Sequence, residues 1–137
     1  MPRKDPYSSF DPHAYIAEYY SGMGPENQFL LKFYHDVFNN LPEGLTMLEV
    51  GGGPTVYQLF SASRRSTEIV FTDYLPSNLK EVANWMANDP QALSWQEFSK
   101  VVAGFEANDN DELKRKALEI EERTRSAIKK NDSLQCT

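Results

Sequence analysis

The sequence has a single cysteine, Cys136, among 137 residues, which excludes an internal disulfide and suits a reducing compartment. No apolar run comes near the ~20 residues that a membrane-spanning helix needs. The opening MPRKDPYSSF is not followed by a secretory apolar segment, so no signal peptide is expected and the expected location is cytoplasmic. Positive charge is scarce. Fourteen Lys and Arg stand against 20 Asp and Glu, a formal net charge of −6. Such a chain has little with which to neutralise phosphates, which argues against nucleic-acid and anionic-membrane partners. The basic pairs Arg64-Arg65 and Lys129-Lys130 read as solvated surface. His13 and His35 have no Cys, His or carboxylate cluster at ligand spacing, so no metal site is expected. No Ser–His–Asp or Cys–His arrangement is legible.

What remains is ordinary globular material, 40% hydrophobic and 25% charged, and one domain by length. DPHAYIAEYY predicts a short helix after Asp11, with Pro12 at its first position. Phe29, Leu30, Phe33, Val37 and Phe38 predict a longer helix from Glu26 that buries this row and stops at Pro42-Glu43-Gly44. TMLEV at 46–50 reads as a buried parallel strand. A helix from about Pro54 to Ser63 is expected next, then a second strand, STEIVFTDY, at 66–74. Leu79, Val82, Ala83 and Met86 share a face of a helix over 77–88, with Trp85 in the core. Ser94 and Glu97 form a capping-box pattern for a helix over 95–106, with Trp95 packing at its start. Leu113, Ala117, Ile120, Thr124 and Ile128 stripe a last helix over 111–130. The fold class is α/β, and strand–helix–strand with parallel strands opens a doubly wound sheet. Two strands alone leave both sheet edges unpaired, so the chain reads as part of a larger sheet.

The chemistry lies in LEVGGGP. Three glycines after a strand serve either a tight corner or close approach to a ligand. A dinucleotide loop needs G-x-G-x-x-G, and here Val56 takes the place of the last glycine. Glu49 with Gly51 and Gly53 instead gives E-x-G-x-G, a loop for a nucleoside with an amino-acid tail and no phosphate. Asp73 ends the second strand about 20 residues after the first glycine, where it can accept hydrogen bonds from ribose hydroxyls or cap the turn before Pro76.

FDPHAYIAEYY, LEVGGGPTVYQLFSA, EIVFTDYLPSNLKEVANWM and IKKNDS resemble, in order and spacing, the small-molecule methyltransferase family that includes the nicotinamide, phenylethanolamine, indolethylamine and thioether enzymes. The resemblance covers residues 7–134 and only the amino-terminal half of such an enzyme. It implies a Rossmann-like class I fold dependent on S-adenosylmethionine, truncated after the second strand and following helices, with residues 1–43 as a helical lid and 44–137 as the start of the core. It implies that Tyr15 and Tyr20 close over the cofactor and reach its methionine carboxylate, with Tyr7 as a further lid tyrosine. Gly51 and Gly53 would lie against the cofactor, and Tyr57 would bind its methionine end. Asp73 would take the ribose, Tyr74 would pack on the adenine and Asn78 would bind nearby. Asp132 would contact the adenine amino group, with Ser133 beside it. Gly52 and Glu49 stand where relatives have Ser and Asp, both mild changes by this reading. The implied acceptor is a small-molecule amine or ring nitrogen. Its contacts would lie in the other half, so no catalytic residue is named. Two alternatives stand beside this one: a non-catalytic binding or regulatory fragment, for example one pairing with a full-length relative through its open sheet edge, and an NAD-dependent oxidoreductase domain. A truncated chain is also expected to self-associate.

Overall fold

The computed structural model describes residues 9–128 and the backbone of 135 and 136. Helix α1 (Pro12–Tyr20) and helix α2 (Pro25–Asn39) precede strand β1 (Leu45–Glu49). Two single 3-10 turns, Tyr57–Leu59 and Ala62–Arg64, lead into β2 (Ser66–Asp73). Helices α3 (Pro76–Met86), α4 (Gln96–Glu106) and α5 (Leu113–Ala127) follow, with a 3-10 turn at Asn110–Glu112 and a short β3 at Gln135–Cys136. The result is a mixed helix–strand fold around a small parallel sheet of order β1-β2-β3.

Local chemistry explains most of these boundaries. Asp11 caps α1 by accepting the His13 N–H at 3.0 Å, with Pro12 behind it. Gly44, at φ 79°, turns the chain after α2 in a conformation that suits glycine. On α5, Ala117, Ile120 and Thr124 are buried, as their spacing predicts. Ile128, which the same stripe places on this helix, instead lies just past its end and is buried as an extended residue bridged to Ile69 of β2. On α3, Leu79, Val82, Trp85 and Met86 face the core, and the Arg125 guanidinium lies 4.0 Å above the Trp85 ring. Helix α4 begins as expected, but its box stays half closed: the Ser94 hydroxyl accepts the Gln96 N–H at 3.3 Å, and the helix has no side-chain cap at its first flanking residue, Trp95.

Four expectations are corrected. The row Phe29, Phe33 and Val37 of α2 faces outward, at 68%, 51% and 40% exposure, while Leu31 and His35 are buried. Strand β1 is not a buried strand. Its outer edge is unpaired among the described residues, and Leu48 and Val50 are well exposed. The segment after the glycines is not an α-helix from Pro54 to Ser63 but the two 3-10 turns. Here the Thr55 hydroxyl donates to the Gly52 carbonyl, the Gln58 amide donates to the carbonyls of Thr55 and Gly52, and the Ser63 hydroxyl donates to the Phe60 carbonyl. Such local side-chain bonds compete with the helical ladder. Finally, a third strand is present beyond the two expected: Thr72 pairs with Gln135 and Asp73 with Cys136.

The core joins these elements through Leu59, Phe60, Ile69, Phe71, Phe98, Val102 and Ile120, all essentially inaccessible. The carboxyl ends of β1 and β2 stand in register, Glu49 beside Phe71, so the loops leaving both strands emerge together.

Candidate cofactor site

The glycine loop is held from β2. The Gly52 N–H donates to the Thr72 carbonyl at 3.1 Å, and the Thr72 hydroxyl donates to the Glu49 carbonyl at 2.8 Å. Gly51 and Gly53 take φ of 65° and 69°, where L side chains are strained, and the space a side chain would enter at each is open. Gly52 differs. Its conformation is ordinary, but a Cβ there would run into the Phe71 ring, so a serine at this position is not a mild change in this chain. The three glycines therefore divide the work: two permit the turn, and one lets the loop lie on the core.

Asp73 ties the two loops together. Its Oδ1 accepts the Gly53 N–H at 3.1 Å, and its Oδ2 accepts the Leu75 N–H at 3.0 Å and the Asn78 Nδ2 at 2.8 Å. The capping role weighed from the sequence is thus present. Asn78 is 5% exposed, and its Oδ1 is buried with no hydrogen-bond partner. A buried acceptor left free beside a cleft costs stability unless something donates to it.

Opposite stands a wall of aromatic hydroxyls. The Tyr20 and Tyr57 hydroxyls lie 3.3 Å apart. The Tyr57 ring stacks on Trp95 at 5.8 Å, and Tyr15 packs between Phe10 and Tyr20. Burial raises the phenol pKa values of Tyr15, Tyr20, Tyr34 and Tyr57, so these groups stay neutral and can donate. Burial also raises the pKa of Glu49, partly offset by a hydrogen bond from Gln58.

These walls enclose an open cleft of about 560 Å³, in the ordinary range for small-ligand sites. Tyr15, Tyr20, Gly51, Gly53, Tyr57, Asp73, Tyr74 and Asn78 all line it. Tyr7, Asp132 and Ser133 lie outside the described residues. The sequence reading missed Phe10, Tyr34 and Gln58 as lining residues. Tyr34 carries no local signal, because it reaches the cleft only through the packing of α2. No group of three or more His, Cys, Asp or Glu that could hold a metal occurs among the described residues. Nor, among them, is any helix long and apolar enough to cross a membrane.

The NNMT/PNMT/TEMT family model matches residues 1–136. Nicotinamide N-methyltransferase of Homo sapiens is 35% identical over 134 residues, covering 92% of this chain and 49% of the relative. Indolethylamine N-methyltransferase of Mus musculus is 36% identical over 99 residues, covering 67% and 38%. Phenylethanolamine N-methyltransferase of Homo sapiens is 32% identical over 105 residues, covering 69% and 36%. The chain spans about half the length of the first of these relatives. Matched over residues 1–136 by that family model and over 92% of its length by nicotinamide N-methyltransferase, the chain belongs to the NNMT/PNMT/TEMT family.

Proposed function

We propose that the cleft holds S-adenosylmethionine and that the protein serves methyl transfer to a small-molecule amine or pyridine-like ring nitrogen. Residues 1–43 act as a helical lid and 44–137 as the opening of a Rossmann-like, class I methyltransferase core in the cytoplasm. Together they make one domain, the amino-terminal half of the enzyme. The observation that carries this reading is the Asp73 carboxylate, which lines the cleft and is bonded to the glycine loop. A carboxylate has about four acceptor positions, and three internal donors use three of them on Asp73. That leaves one acceptor position on Asp73, which lines the cleft, for a ribose hydroxyl. This narrows the expectation that Asp73 takes both hydroxyls to one of them.

Donors fit the other end of the ligand. Neutral Tyr15 and Tyr20 hydroxyls suit a carboxylate tail, and Gly51 and Gly53 leave open space for the body of a nucleoside to lie on the loop. Tyr74, 58% exposed at the rim, offers a ring face for the adenine. Tyr7, Asp132 and Ser133 keep the roles that the family resemblance implies. S-adenosylmethionine, when bound, supplies a methyl group already activated on a sulfonium. The protein's contribution is to hold it, exclude water with the Tyr20–Tyr57–Trp95 cluster, and fix its orientation. Isothermal titration with S-adenosylmethionine, S-adenosylhomocysteine and NAD tests the reading. The first two should bind more tightly than NAD. Equal or tighter NAD binding would favour a dinucleotide site instead.

A further inference from the structure

Helix α1 carries two of the cleft tyrosines and is anchored at both ends. At its C-terminal end, Tyr20 meets the Tyr57 hydroxyl and sets its ring edge-on against Trp95 and Phe98. At its N-terminal end, His13 Nε2 lies 2.8 Å from Glu81 Oε2 on α3. The Glu81 side chain is 8% exposed, against 49% for His13. Its other oxygen, Oε1, accepts the Leu93 N–H at 3.2 Å. Leu93 shortly precedes Trp95, which stacks on Tyr57. One buried carboxylate thus joins α1, α3 and the segment entering α4. A buried carboxylate is tolerated only when donors meet it, and His13 is the donor that solvent can reach.

We propose that His13 and Glu81 form a latch that holds α1 over the cleft and sets how tightly the site grips the amino-acid tail of its ligand, an inference that rests on the cofactor reading above. Helix α1 has nine residues, too few to be stable without its contacts. Freed at His13, it keeps Ile16 and the Tyr20 cluster but loses the contact that fixes its first turn. Tyr15 then spends less time in place over the cleft, and apparent affinity falls with the fraction of molecules that have it there. The ribose end is held by Asp73 at the end of β2, whose bonds run to the glycine loop, Leu75 and Asn78 and not to α1, so it does not feel the latch. Glu81 is a positioning residue. It reaches the ligand through α1 and through the Trp95 segment, never directly.

The test compares two ligands on the 137-residue chain: S-adenosylhomocysteine, which has the tail, and methylthioadenosine, which does not. In His13→Ala, S-adenosylhomocysteine should bind about fivefold to tenfold more weakly and dissociate faster, the loss expected for one partly exposed hydrogen bond to a charged group. Methylthioadenosine binding should be unchanged. His13→Gln, which can still donate to Glu81, should recover most of the loss. Amide hydrogen exchange across residues 12–20 of the free chain should quicken in His13→Ala and return in His13→Gln. Equal losses for both ligands, or unchanged S-adenosylhomocysteine affinity, would overturn the latch. A wild-type chain that binds neither ligand removes the cofactor reading. Exchange then decides the latch alone, and unchanged exchange in His13→Ala overturns it.

Discussion

A methyl group placed on Gly52 should destabilise this protein for a steric reason only. The residue has no positive φ, so backbone strain is not at issue. An added Cβ would overlap Cζ of Phe71, stand 2.6 Å from its Cε2 and 3.0 Å from its Cε1. Carbon atoms rest about 3.5–4.0 Å apart, so the ring must retreat by about an ångström. It has nowhere to go, because Phe71 is fully buried on β2. Overpacking of this kind costs ~1–3 kcal/mol, and Gly52→Ala should lower the urea-unfolding free energy by about 2 kcal/mol. Phe71→Leu shortens the obstructing ring and has its own cost, on the order of 1 kcal/mol. In the Phe71→Leu background, Gly52→Ala should then cost less than about 0.5 kcal/mol, a coupling between touching residues that a double-mutant cycle isolates. Additive losses, or a Gly52→Ala protein as stable as the parent, would refute the assignment of Gly52 to packing.

Two further outcomes are expected. Asp73→Ala strands the donors of Gly53, Leu75 and Asn78, so it should lower stability by roughly 2–4 kcal/mol and weaken S-adenosylhomocysteine at least tenfold; lost stability with affinity retained would reduce Asp73 to a turn cap. Burial raises the folded-state pKa of Glu49 above its unfolded value, so the folded state binds the proton more readily and stability falls as pH rises from the unfolded pKa through the folded one. Glu49→Gln should therefore raise the urea midpoint near neutral pH, with the gain vanishing on acidification below the ordinary glutamate range; a gain independent of pH would sink the argument.

Periodicity made much of this fold legible, and its failures have physical causes. The stripes of α3 and α5 stand out because charged residues flank a single apolar row, as with Ile120 and Thr124 among Glu and Arg. Helix α2 offers two rows instead. Phe29, Phe33 and Val37 are the more hydrophobic, yet the helix buries Leu31 and His35, and Phe29 stacks on Phe33 at the surface. A histidine on the inner row hides it from any hydrophobicity count. At the site, the sequence pattern and the family resemblance together pointed to Gly51, Gly53, Tyr57, Asp73, Tyr74 and Asn78, which the fold brings to one cleft. Tyr34 and Phe10 were not legible, since each reaches the cleft by tertiary packing. Glu81 was hidden for a similar reason: its partner His13 lies 68 positions away.

The corner after the glycines also decides the electric field there. An α-helix starting at such a corner directs free N–H groups and about half a positive elementary charge toward the loop, which is what draws phosphates to it. This chain instead makes two separate 3-10 turns, Tyr57–Leu59 and Ala62–Arg64, too short for their peptide dipoles to add up along an axis. A pyrophosphate brought to Gly51–Gly53 would meet the carboxylates of Glu49 and Asp73, both of which line the same cleft, with no helix dipole behind the glycines to offset them. A nucleoside joined to a sulfonium loses nothing by that arrangement and gains two nearby negative groups. The turn that breaks the expected helix is also one that favours a cation over a phosphate.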